Sequence, residues 1–137
     1  MNQEVWAEAY ERFVLECRKA GQLPRLEGEQ EKRVHPRFRM WSNIVWTSGE
    51  FQFRILDLSI SGISFDANQS FEPERRLVVR LSDLISVHAI VLECTPMDET
   101  PMFFSGRHRV RCRFEDTLEG LRFLVMVKDM QAIKIEV

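Results

Sequence analysis

The hydrophobic period changes twice along this chain, and those changes limit the folds open to it. Val5, Trp6, Ala9, Tyr10, Phe13, Val14 and Cys17 recur at three- and four-residue spacing and Gly21 follows, which predicts an amphipathic helix ending near Ala20. The polar stretch Gln22–Glu31, with Pro24 and Gly28, reads as a linker. From Phe38 the period drops to two. Residues 41–47 and 51–58 flank Ser48-Gly49 as a hairpin turn, and further strands are expected at Ile63–Asp66, Leu77–Leu81, Val87–Thr95 and Arg107–Glu115. Pro73, Pro96 and Pro101 fall between these segments, where a missing N–H does not interrupt a ladder. No helical pattern separates the strands, so a parallel sheet is excluded and an antiparallel barrel or sandwich remains. Beyond Asp116 and Thr117, either of which could cap, Leu118, Leu121, Leu124, Val125 and Val127 form a C-terminal helix. Phe123, Met126 and Met130 make it apolar nearly all round, so it needs cover on two sides. The barrel supplies one side, and the N-terminal helix or a second copy of the chain supplies the other.

At 137 residues the chain is long enough for one core, and 45% apolar with 29% charged residues is the balance of a globular protein. The reading divides it into an N-terminal helix at 1–21, a linker at 22–31 and a β-rich domain with its helix at 32–137. A net charge of −2 argues against a partner such as polymeric nucleic acid, yet the charge is unevenly placed. Lys32, Arg33, Arg37 and Arg39 form one acid-free stretch and Arg107, Arg109, Arg111 and Arg113 another, while Glu27, Glu29 and Glu31 gather nearby. Cys17, Cys94 and Cys112 share no CxxC spacing and fit reduced thiols. The start carries Glu4, Glu8 and Glu11 rather than a signal peptide, and the longest apolar run, Leu84–Leu92, is too short to span a membrane. A cytoplasmic location is the expectation. His35, His88 and His108 lack ligand spacing, and no nucleophile elbow or phosphate-binding glycine loop is present, so neither a metal centre nor catalysis is expected.

Two short phrases carry the functional signal. Arg33-Val-His-Pro-Arg37 offers two guanidinium forks on a segment stiffened by Pro36, each able to grip phosphate oxygens or the O6/N7 edge of guanine. Asp57-Leu-Ser59-Ile-Ser-Gly62 offers a carboxylate for guanine N1 and N2, a hydroxyl, and a glycine whose freedom in φ lets a bulky ligand approach the backbone. Strand alternation sets Leu56, Leu58 and Ile60 on one face and Asp57 and Ser59 on the other. Taken singly, the arginines read as solvated and the second phrase as an ordinary turn bonded to its own backbone. Their joint occurrence across a hairpin favours a receptor for an anion that also presents base edges.

This combination resembles the PilZ domain family of bacterial cyclic di-GMP receptors. Arg33 and Arg37 match its RxxxR motif, Asp57, Ser59 and Gly62 its DxSxxG motif, and Arg113-Phe114-Glu115-Asp116 its closing strand before the terminal helix. The resemblance covers about residues 32–130. It implies a mainly β fold: a six-stranded antiparallel barrel with a C-terminal helix, here preceded by the N-terminal amphipathic helix. It also implies cyclic di-GMP held outside the barrel, with Arg33 and Arg37 on phosphates and guanine and Asp57, Ser59 and Gly62 around the guanine. Lys32 stands where many members carry another arginine, and Arg111 where the closing strand often has glycine. Lys32, and Arg109 or Arg111 on the alternating strand, therefore join the candidate ligand set. The resulting expectation is a non-catalytic receptor that rearranges its N-terminal segment to regulate a downstream protein. The alternative is a ligand-free adaptor docking through its helices.

Overall fold

The computed structural model describes residues 3–19, 37–41, 44–49, 51–97, 108–130 and 134–136. The elements in chain order are α1 (Gln3–Lys19), β1 (Phe38–Trp41), β2 (Trp46–Ser48), β3 (Phe51–Leu58), β4 (Gly62–Ala67), β5 (Arg76–Arg80), β6 (Ser86–Pro96), β7 (His108–Phe114), α2 (Thr117–Asp129) and β8 (Lys134–Glu136). The linker expected at 22–31 lies outside the described residues.

All strand pairings are antiparallel and follow the order β5-β6-β7-β4-β3-β1-β8, with β2 also on β3. The mainly β, antiparallel architecture is the one the alternating pattern demands. Three details differ from the expected six-stranded barrel. The first strand is two segments: β1 pairs Phe38 with Leu58 and β2 pairs Trp46 with Phe53, so both lie along β3. Ser48 pairs with Phe51, so Ser48 belongs to the strand and the turn begins at Gly49, one residue later than expected, with Gly49 at φ +59°. β8 adds a strand on the free edge of β1, through Met40 and Ile135.

The ladder does not close into a cylinder. Between β2 and β5 a buried side chain substitutes for a ladder. The Ser48 hydroxyl donates to the Val78 carbonyl at 2.6 Å and accepts from the Arg80 N–H at 3.0 Å. Inside, Phe53 and Phe65 are wholly buried and meet edge-to-face at 5.5 Å, with Phe51 and Phe71 beside them. Each such ring removed from water contributes about 1.5–3 kcal/mol.

The helices cover the core from outside the sheet. Asp116 caps α2, its carboxylate accepting from the Leu118 N–H at 3.1 Å. Glu119, in the first turn, accepts from the His88 N–H and lies 2.8 Å from its ring Nδ1, which pins α2 to β6. Gly120 lets α2 press against the β3–β4 turn, since a Cβ there would stand 2.2 Å from the Ile60 carbonyl oxygen. The apolar stripe of α1 packs on its own chain: Phe13 is buried with its ring 4.9 Å from that of Phe38, and Lys128 and Arg122 of α2 lie over Phe13 and Trp6. The second side of α2 is thus met by α1.

Candidate functional site

The motif aspartate faces outward because β3 carries a bulge. Phe51, Phe53 and Ile55 alternate into the core, and simple alternation would turn residue 57 inward after them. Between Ile55 and Asp57 the register with β4 slips by one, with Leu56 as the extra residue, so the parity reverses and Leu58 becomes the buried one. Asp57 keeps 27% of its side chain exposed. Leu56 is only half-buried, so it does not share the buried face with Leu58 that regular alternation gave it.

Arg37 reaches the same place from the start of β1. Phe38 pairs with Leu58 and Arg39 with Asp57, which sets Arg37 alongside the end of β3. Its Nε lies 3.8 Å from the Asp57 carboxylate, with both side chains partly exposed. The two motifs are therefore joined at this point. Lys32 and Arg33 lie outside the described residues.

Ser59 follows the strand and is buried. Its hydroxyl oxygen accepts from the N–H groups of Ser61 and Gly62, both at 3.2 Å, and stands 3.0 Å from the Ser61 hydroxyl. Its own N–H donates to the Gly62 carbonyl at 2.9 Å. Ser59 is thus the builder of the turn, the role that an isolated reading of the phrase assigned to it. The Phe114 N–H donates to the Ser61 carbonyl at 2.9 Å and staples the turn to β7.

Gly62 holds its place for a different reason from the one expected. Positive φ occurs at Gly49 and Glu74 among the described residues, not at Gly62. Instead β7 passes so close that a Cβ on Gly62 would stand 2.5 Å from the Cys112 carbonyl oxygen. The glycine permits this strand contact and adds no side chain to the outer face.

On β7 the inward residues are Val110, Cys112 and Phe114, and the arginines alternate outward. Their register on β4 assigns each a neighbour: Arg109 faces Asp66, Arg111 faces Ser64 and Arg113 faces Gly62. Asp66 is fully buried on the outer face of the sheet, 2.8 Å from the Arg54 Nη2 and 3.9 Å from the Arg109 Nε. Arg109 is thus only at the edge of ion-pair range of this carboxylate, whose tight partner is Arg54. Arg111 lies 3.7 Å from Glu93 on β6, with both side chains at least half exposed, so this ion pair is weak and easily exchanged. Arg113 was not singled out from the sequence, because only the register with Gly62 brings it to the motif. The Arg54–Asp66 pair was likewise invisible until β3 and β4 were aligned.

Among the described residues no group of three or more His, Cys, Asp or Glu could hold a metal ion, and no helix is long and apolar enough to cross a membrane. Cys94 is half-buried and Cys112 buried, both as free thiols.

A family model for the PilZ domain matches residues 30–126, a span that holds both motifs, the sheet from β1 to β7 and most of α2. The chain belongs to the PilZ domain family. No curated protein and no solved structure gives a match to it. PilZ domains are a receptor family for cyclic di-GMP, generally without catalytic activity. In this PilZ domain the described motif residues Arg37 and Asp57 meet at the end of β3, next to the turn built by Ser59 and Gly62.

Proposed function

We propose that this PilZ domain is a non-catalytic receptor for cyclic di-GMP, and that the nucleotide rearranges the segment joining α1 to the sheet so that a partner protein is regulated. The reading is carried by the approach of Arg37 to Asp57. A guanidinium with its fork and a carboxylate sit side by side at the sheet surface, 3.8 Å apart and partly exposed. That separation is looser than a charge-assisted hydrogen bond, so the Arg37 guanidinium can turn to a ligand without the cost of breaking a tight pair with Asp57. Arg37 offers two parallel donors to phosphate or to guanine O6 and N7, and Asp57 accepts from N1 and N2. Ser59 and Gly62 hold the turn that sets the carboxylate, and Lys32 and Arg33 add cations from the same stretch of chain.

The motive for a rearrangement is position. Arg37 directly precedes Phe38, whose ring packs on Phe13 of α1. A ligand that draws Arg37 toward itself acts on the residue next to that contact, and a difference in affinity between two arrangements of α1 is all that a switch requires.

Calorimetry with cyclic di-GMP on wild type, Arg33→Ala, Arg37→Ala and Asp57→Ala tests the site. Each substitution is expected to weaken binding at least tenfold, as for loss of a charge-assisted contact. Equal affinity in all four proteins removes the site. Hydrogen exchange across residues 3–19, with and without nucleotide, tests the rearrangement: unchanged protection rejects it.

A further inference from the structure

We infer that Arg113 is a base-reading residue of this site, one that selects guanine over adenine. The inference rests on the cyclic di-GMP reading above and adds to it a residue outside both motifs.

Three observations carry it. First, Arg113 stands directly across the β4–β7 ladder from Gly62, on the outward parity of β7, and is exposed. Second, its neighbours have acids within ion-pair distance and it does not. Arg109 lies 3.9 Å from Asp66 and Arg111 3.7 Å from Glu93, both loose pairs with an exposed arginine, whereas no acid among the described residues lies within that distance of Arg113. Third, the strand between them carries no bulky outward side chain near Arg113. Gly62 has none and is half-buried, and the next outward position on β4 is the small, buried Ser64, level with Asp57 on the other side.

The bracket so formed has an acid on β3 and an uncommitted guanidinium on β7. The two strands are about 10 Å apart across β4, with an offset of about 7 Å along it. With both side chains extended inward, that gap matches one purine placed over β4 at the half-buried Gly62. The chemistry then chooses the base and its orientation. A phosphate between these groups would meet the Asp57 carboxylate as a like charge. A neutral ring with donors on one edge and acceptors on the other suits both sides. Guanine offers N1–H and N2–H to the acid and O6 and N7 to the Arg113 fork, which leaves Arg37 for a phosphate. Adenine presents an amino group where O6 would be, so it would leave one donor of the fork without a partner.

The test compares cyclic di-GMP and cyclic di-AMP by calorimetry on wild type, Arg113→Ala and Arg113→Lys, with melting curves to confirm that each variant is folded. Arg113→Ala is expected to weaken cyclic di-GMP binding about tenfold or more and to narrow the gap between the two dinucleotides. Arg113→Lys should restore little, because a point charge does not replace the fork. Wild-type affinity in Arg113→Ala overturns the assignment while leaving the receptor reading intact. Equal weakening toward both dinucleotides, or full rescue by lysine, also overturns it, since either would mean that Arg113 supplies only charge. If wild type itself binds no cyclic di-GMP, the receptor reading falls and takes this assignment with it.

Discussion

At the scale of single residues, the motif positions owe their identity to geometry as much as to a ligand. Gly62 is held by the carbonyl of Cys112, so Gly62→Ala should push β4 from β7 and destabilise the domain by about 1–3 kcal/mol, as overpacking does. Urea denaturation measures this without any nucleotide, and an unchanged midpoint would mean that the strands can part freely. Cys112 gives a pH dependence with a definite sign. Burial, and secondarily the nearby Cys94, push its thiol from 9.0 to about 12 in the folded protein. The stability due to the neutral thiol is therefore present in full below pH 9 and is lost as pH rises toward 12, because the unfolded chain releases that proton first. Between pH 8 and 10.5 the wild type should lose stability faster than Cys112→Val, by on the order of a kcal/mol or more. Parallel loss in both proteins would sink the assignment. The sequence makes Arg37, Asp57, Ser59 and Gly62 conspicuous through spacing alone. It puts Arg113 in the alternating arginine stretch but does not mark it as a candidate ligand residue, because its place depends on the register that sets it opposite Gly62.

At the scale of elements, the regular strands are legible because each has a long run of period two, and β3 to β7 fall within a few residues of where that pattern puts them. What the pattern does not reveal is irregular. The bulge at Leu56 leaves no compositional mark, yet without it Asp57 would turn toward the core. β8 has three residues and no room for a period; its pairing comes from the free edge of β1, a tertiary effect. Pro96 proves to be the last residue of β6 rather than part of the gap after it, a position that suits a residue without an N–H. The join of β2 to β5 is the least legible, since a lone serine carries it. Ser48→Ala should cost about 1–3 kcal/mol, because it leaves the Val78 carbonyl and the Arg80 N–H without their buried partner. Thr47→Ala, one residue away and exposed, should stay within about 0.5 kcal/mol of wild type. Chemical denaturation of the pair decides the matter: equal midpoints would show that the β2–β5 seam is not held by this hydroxyl.

At the scale of the whole molecule, the question is how the site communicates with α1. The path is short and made of packed groups. Arg37 is bonded in sequence to Phe38, the Phe38 ring packs at a tilt against Phe13, and Lys128 of α2 lies over the Phe13 ring. A second path runs from the Ser59–Gly62 turn through the contact of Ile60 with Gly120 into α2. The helical stripe in the sequence announced that α1 must pack somewhere. Only the fold shows that it packs on Phe38, the residue next to Arg37 in the candidate site. Coupling between two sites is reciprocal: if nucleotide weakens the seating of α1, then weakening that seating must strengthen nucleotide binding by the same factor. Phe13→Ala removes the ring that faces Phe38 without touching any group in the candidate site. It should therefore raise the affinity for cyclic di-GMP, by about three- to tenfold if the competing seated state is worth on the order of 1 kcal/mol. Hydrogen exchange in α1 of the variant without nucleotide should then resemble that of the nucleotide-bound wild type. A lowered affinity would mean that the ligand favours the seated helix, and an unchanged one that α1 and the site are independent. In the second case the helix is a fixed buttress of the fold, and the signal must leave the domain by way of α2.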